Sequence, residues 1–141
     1  MMDPSDKKTI LIRELYDYFV TKNFRIISAR GIDGVKYPDP LPNDGYGDQE
    51  QKRPEVFAFD PVEGCHIVGV TRCEQSELSS ESSLTEYNVF LDQIDPQTQK
   101  PYRLYVNMPA SLVGEFNALM LEYIHREYWY KIVVMSSQRV S

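Results

Sequence analysis

Two short runs of this sequence carry residues that could act together. Arg53-Pro54-Glu55-Val56-Phe57-Ala58-Phe59-Asp60-Pro61 is followed, at hairpin distance, by Ile67-Val68-Gly69-Val70-Thr71-Arg72. Glu55 starts the expected strand of the first run and Arg72 ends that of the second. In an antiparallel pair the carboxylate and the guanidinium are therefore expected close together across the ladder, an interaction worth about 0.2–1 kcal/mol.

Other chemistries find less support. Cys65-His66 and His125 lack the spacing of metal ligands, and no Cys/His cluster suggests zinc. No glycine pattern for cradling phosphate is present. Serines abound over residues 76 to 83, but neither histidine is placed to activate one. Cys65 and Cys73 bracket one expected strand, which separates them by roughly 26 Å. A disulfide needs Cα atoms within roughly 7 Å, so two reduced thiols are expected. Tyr128-Trp129-Tyr130 could stack on bases, although a terminal strand at a sheet edge or dimer seam suits them better.

The elements that must position these groups follow from periodicity. Ile10, Leu11, Glu14, Leu15, Tyr18 and Phe19 share one face of an expected helix over 6–23, capped by Ser5. Phe24 to Ala29 reads as a strand. Residues 31–53, broken by Pro38, Pro40, Pro42, Gly45 and Gly47, read as a long flexible loop, either a flap over Glu55 or a disordered surface segment. Pro38-Asp39 lies within it and is set aside. Val56–Asp60 and Cys65–Arg72 form the hairpin, the second strand apolar on both faces and hence central. Glu74 to Ser82 reads as a polar crossover. Ser83-Leu84-Thr85-Glu86 reads as a capping box for a helix with Tyr87, Phe90, Leu91 and Ile94 on one face. Tyr102–Met108 is the next strand, Leu112 to Ile124 the next helix, Trp129–Met135 the last strand, and 136–141 a polar tail.

The predicted order is helix, three strands, helix, strand, helix, strand, in a single domain over 1–141. It implies an α/β fold: a mixed central sheet of about five strands between helices, a three-layer α/β/α arrangement. The 141-residue length suits one domain with a substantial core. No apolar run is long enough to span a membrane, and the polar stretch Met1 to Lys8 is not a secretory signal. A cytoplasmic protein with no membrane partner is expected. The net charge of −6 argues against indiscriminate nucleic-acid binding. Arg13, Lys22, Arg25, Arg30, Lys36, Lys52, Arg53 and Arg72 all lie in the first part of the chain, which leaves room for a local basic groove.

The runs from Arg53 to Pro61 and from Ile67 to Arg72 resemble the active-site hairpin of the PD-(D/E)xK nuclease superfamily, whose restriction-endonuclease-like core has the same element order. Tyr105 to Val113 resembles the strand, proline and helix start of small bacterial members. The resemblance implies that Glu55, after Pro54, matches the first metal ligand. Val70 stands where a second acid is expected and cannot coordinate. Arg72 stands for the family lysine: it keeps the charge but prefers forked contacts to carboxylate or phosphate. Glu14 matches the place of an additional acid in several members. Glu74 has the parity of Val70 but lies roughly 13 Å further along an ideal strand. Glu81 or Glu86 could also supply a displaced acid from the next helix.

Three functions are then open. The first expectation is an inactive nuclease-like module that uses no cofactor and binds a protein or nucleic-acid partner. The alternative is an active Mg²⁺-dependent endonuclease acting on DNA, with Glu55, Arg72 and Glu14 as catalytic residues and Glu55 and Glu74 on the metal. The third is a structural homodimer.

Overall fold

The computed structural model describes residues 3–141. Met1 and Met2, part of the stretch read above as non-secretory, lie outside the described residues. Helix α1 (Pro4–Thr21) begins two residues before the expected start, because Asp3 rather than Ser5 is its N-cap and accepts the Ser5 N–H at 2.8 Å. Pro4 occupies the first turn, where its missing N–H costs nothing. Leu11, Ile12, Leu15 and Phe19 form the buried stripe.

Five strands follow: β1 (Arg25–Ala29), β2 (Val56–Asp60), β3 (Cys65–Thr71), β4 (Arg103–Met108) and β5 (Ile132–Ser136). They lie in the order β1-β2-β3-β4-β5. The first two junctions are antiparallel and the last two parallel. Between β3 and β4 run a short helix α2 (Gln75–Leu78) and α3 (Glu81–Asp92). Between β4 and β5 runs α4 (Val113–Tyr123), entered through a 3₁₀ turn at Ala110–Leu112. The expected mixed five-stranded α/β sheet with helices on both faces is therefore present.

Two apolar clusters mark the faces. On one, α1 packs Ile12, Leu15 and Phe19 against Val56, Ala58, Ile67 and Tyr105. On the other, Tyr87 and Phe90 of α3 and Phe116 of α4 pack on Val68, Val70, Leu104 and Val106. Strand β3 is shared by both, which explains its apolar character on each side. At Gly69 a Cβ would sit 2.6 Å from Leu15 Cδ2, so glycine lets α1 lie close over the sheet. No helix among the described residues is long and apolar enough to cross a membrane.

Several boundaries depart from expectation. The polar crossover contains α2. The N-cap of α3 is Ser80, whose hydroxyl accepts the Ser83 N–H at 3.1 Å, one turn ahead of the expected capping box. Tyr128, Trp129 and Tyr130 are not on a strand but in a 3₁₀ segment, Arg126–Lys131, where the Trp129 indole donates to the Ile124 carbonyl. The loop over 31–53, expected to be flexible, is laid along α3. Tyr46 bonds Asp92, Gln93 bonds the Pro42 carbonyl, and the buried Lys52 ammonium reaches Asp48 at 2.8 Å and Ser82 at 3.1 Å.

The polar tail also returns to the body. Glu14 Oε1 accepts from the Ser137 hydroxyl at 2.6 Å, and its Oε2 accepts from the Gln138 N–H at 3.0 Å. Val140 is thereby buried against Leu11 and Cys73. Glu14→Gln should cost about 1–2 kcal/mol, since a charged acceptor of three bonds, from Asn107, Ser137 and Gln138, becomes neutral. Carboxypeptidase digestion should then trim the last five residues faster than in the parent. Equal trimming rates would show that Glu14 does not hold the tail.

Candidate functional site

The carboxyl end of β3 is where the chemistry-bearing side chains gather. Glu55 sits just ahead of β2, and its backbone extends the ladder: its N–H donates to the Gly69 carbonyl at 3.0 Å, and its carbonyl accepts from Arg30 at 2.8 Å. The side chain then takes the next ladder position. Glu55 Oε1 accepts from the Thr71 N–H at 2.6 Å and the Thr71 hydroxyl at 3.0 Å. One oxygen of the candidate ligand is thus occupied in terminating the sheet. The other, Oε2, is buried and accepts no hydrogen bond. It faces Lys8 Nζ at 3.5 Å and Arg30 Nη1 at 4.0 Å.

Lys8 comes from the second turn of α1. Its ammonium donates to the Thr71 carbonyl at 2.9 Å and to Glu77 Oε2 at 3.3 Å. Glu77, on α2, is drawn here by its own capping work: its Oε1 accepts the Cys73 N–H at 2.6 Å and the Glu74 N–H at 3.2 Å. Burial pushes the Glu77 carboxyl up, but the Cys73 N–H and the charge of Lys8 outweigh it and hold the group below its usual range. Burial, with the charge of Glu77, pushes the neighbouring Cys73 thiol up to about 11, so it is no thiolate nucleophile near neutrality.

Arg72 does not pair with Glu55, contrary to the expected cross-strand ion pair. Its fully buried guanidinium donates to Tyr87 Oη at 3.0 Å, the Thr71 carbonyl at 2.9 Å and Glu86 Oε1 at 2.8 Å. It also lies over the Tyr87 ring. Burial opposes its charge, but Tyr87 and Glu86 more than compensate and raise its pKa further. Adjacent residues on a strand point to opposite faces, so once Thr71 turns toward Glu55, Arg72 turns toward α3.

The other acids weighed above lie elsewhere. Val70 is 1% exposed and belongs to the cluster beneath α3. Glu14 is bound to the tail and to Asn107. Glu74 is exposed at the N-cap of α2, Glu81 is exposed at the start of α3, and Glu86 is held by Arg72. Glu77, not Glu74, shares a cation with Glu55. Among the described residues no three His, Cys, Asp or Glu side chains converge as a metal-binding group.

Around this centre lies a polar cleft of about 340 Å³ lined by Lys8, Arg30, Arg53, Glu55, Glu77, Glu86 and the serines at 76, 80, 82 and 83. A second cleft of about 680 Å³ runs along α1 and shares Lys8, Arg30 and Glu77 with it. Arg53 donates to the Pro38 carbonyl and stacks on Tyr37. Sequence reasoning missed Lys8 and Glu77. Only Glu77 left a trace, an acid three residues after Glu74 at capping-box spacing. Comparison with models of known protein families, with curated proteins and with solved structures finds no match in any of the three.

Proposed function

We propose that the chain is a restriction-endonuclease-like module that has given up metal-dependent cleavage and binds an anionic partner at the cleft beside Glu55. The observation that carries this reading is the Lys8 ammonium, seated against Glu55, Glu77 and the Thr71 carbonyl. Glu55 has its remaining charge met by the protein itself. As they stand, these residues do not fit the Mg²⁺ that the resemblance implies, because Lys8 takes up the space between the two carboxylates. Half-exposed Arg30 and the stacked Arg53 at the cleft favour the phosphate backbone of nucleic acid.

Calorimetric titration of Mg²⁺ and Mn²⁺ into the protein, beside Glu55→Gln, should show no saturable binding. Fluorescence anisotropy with short single-stranded and duplex DNA should show binding that weakens with salt and weakens further in Arg30→Gln/Arg53→Gln. No binding to either DNA would move the reading to a protein partner. Glu55-dependent metal binding would favour the second reading, a Mg²⁺-dependent endonuclease. That reading draws on Glu77, which brings a second carboxylate to the ammonium that Glu55 faces.

A further inference from the structure

We propose that Lys8 is the resident counter-ion of a divalent-cation cradle made by Glu55 Oε2, Glu77 Oε2 and the Thr71 carbonyl, so that removing its ammonium creates a site for Ca²⁺ or Mn²⁺. This inference rests on the non-catalytic reading and gives its physical cause.

The cradle has the composition a hard cation selects: two carboxylate oxygens and one peptide oxygen, with no nitrogen or sulfur donor. It has a cation in it already. Lys8 Nζ lies 2.9 Å from the Thr71 oxygen, 3.3 Å from Glu77 Oε2 and 3.5 Å from Glu55 Oε2. Only the first is a short contact for a charged donor, which prefers about 2.7–2.9 Å to an anionic acceptor. The two carboxylates thus share a single counter-charge and are not saturated. Glu55 Oε2 makes this plainest, because its side chain is 9% exposed and that oxygen accepts no hydrogen bond.

Charge supports the same assignment. Two carboxylates meet one ammonium, and two further cations border the cradle: Arg30, 4.0 Å from Glu55, and Arg72, which donates to the Thr71 carbonyl at 2.9 Å. The charge of Arg72 is met by Glu86 at 2.8 Å. Lys8 is a tethered monovalent cation on a flexible stem, whereas a free divalent ion would supply the full counter-charge. Metal–oxygen distances of about 2.3–2.6 Å for Ca²⁺ tolerate irregular shells better than the strict octahedron of Mg²⁺. Ca²⁺ and Mn²⁺ are therefore the probes.

The test compares the parent, Lys8→Ala, Lys8→Met and Lys8→Ala/Glu55→Gln by calorimetry and thermal denaturation, with and without Ca²⁺ or Mn²⁺. The parent should bind neither ion saturably, and its Tm should stay unchanged. Lys8→Ala should melt lower, bind one ion per chain at millimolar or better affinity, and regain Tm on binding, because a ligand of the folded state stabilises it. Adding Glu55→Gln should abolish both effects. Lys8→Met keeps the packing of the stem and should behave as Lys8→Ala if the alanine variant fails to fold alone. Absence of uptake and of rescue in both Lys8 variants, with a parent that also binds none, overturns this inference and leaves the non-catalytic reading standing. Saturable, Glu55-dependent binding by the parent overturns both.

Discussion

Val70→Glu, which restores the acid that the nuclease resemblance expects, should destabilise the protein more than any other single change considered, and increasingly as pH rises. Val70 is 1% exposed among Leu78, Tyr87, Phe90 and Phe116. An ionised carboxylate placed there carries an effective penalty of several kcal/mol. Whole-domain stability is about 5–15 kcal/mol, so the variant should be largely unfolded near neutrality.

The sign of the pH dependence follows from linkage. Burial would raise the folded-state pKa of the new carboxyl above its unfolded value of about 4.3. The folded state then holds a proton that the unfolded state releases. The variant is at its most stable below that unfolded value, and loses about 1.4 kcal/mol per pH unit above it until the folded pKa is passed. Val70→Gln, similar in size and unable to ionise, should lack this slope. Urea denaturation followed by circular dichroism, at about pH 4 and pH 8, separates the two. A Val70→Glu protein as stable as the parent at the higher pH would mean that its carboxylate has escaped the core to the cations around Glu55.

Arg72→Met should cost about 3 kcal/mol. Breaking one partner out of a buried ion pair typically costs about 3–5 kcal/mol, and the lower end applies because the Glu86 side chain is 24% exposed. The methionine keeps the apolar stem but leaves Glu86 without its cation and the Tyr87 hydroxyl without one of its two partners. Arg72→Lys should recover only part of the loss, because a single ammonium cannot reach Tyr87, Glu86 and the Thr71 carbonyl from one rotamer as the guanidinium fork does. Adding Glu86→Leu to Arg72→Met should restore much of the stability by removing the stranded carboxylate. Urea unfolding of the three variants decides the matter. A loss in Arg72→Met below about 0.5 kcal/mol, the scatter of ordinary surface changes, would place the guanidinium in solvent instead.

The architecture was legible because its signals are local. Three- and four-residue spacing marks α1, α3 and α4, and β-rich runs bounded by Gly and Pro mark the strands. Even the mixed topology followed, since strands joined by a turn pair antiparallel and strands joined through a helix run parallel. Misreadings occurred where short-range signals compete. Ser80 and Ser83 both precede an apolar run, and the serine whose hydroxyl meets a free N–H became the cap. Tyr128, Trp129 and Tyr130 have strand-forming side chains, but the Trp129 indole and the cation–π contact of Lys131 with Tyr128 hold them in a 3₁₀ turn.

The candidate site was half legible. Glu55 stood out, and its place at a strand start, its proline and its antiparallel neighbour were all correct. Its partners were not, because parity along β3 is decided by which residue meets Glu55. Thr71 does so, which sends Arg72 to Glu86 and Tyr87. Lys8 had no distinguishing mark, since a lysine on a polar helix face is ordinarily solvated.

The order of residues alone thus specifies the elements, their pairing sense and a core on each face of the sheet. Side-chain period and turn chemistry act over a few residues and are written in the chain. The pairing of charges is a different kind of fact. Coulombic attraction depends on distance and on the surrounding dielectric, and both are known only when α1, the end of β3 and α2 have been packed together. That packing sets Lys8 between Glu55 and Glu77, and so turns a carboxylate placed like a metal ligand into one arm of a half-buried ion pair.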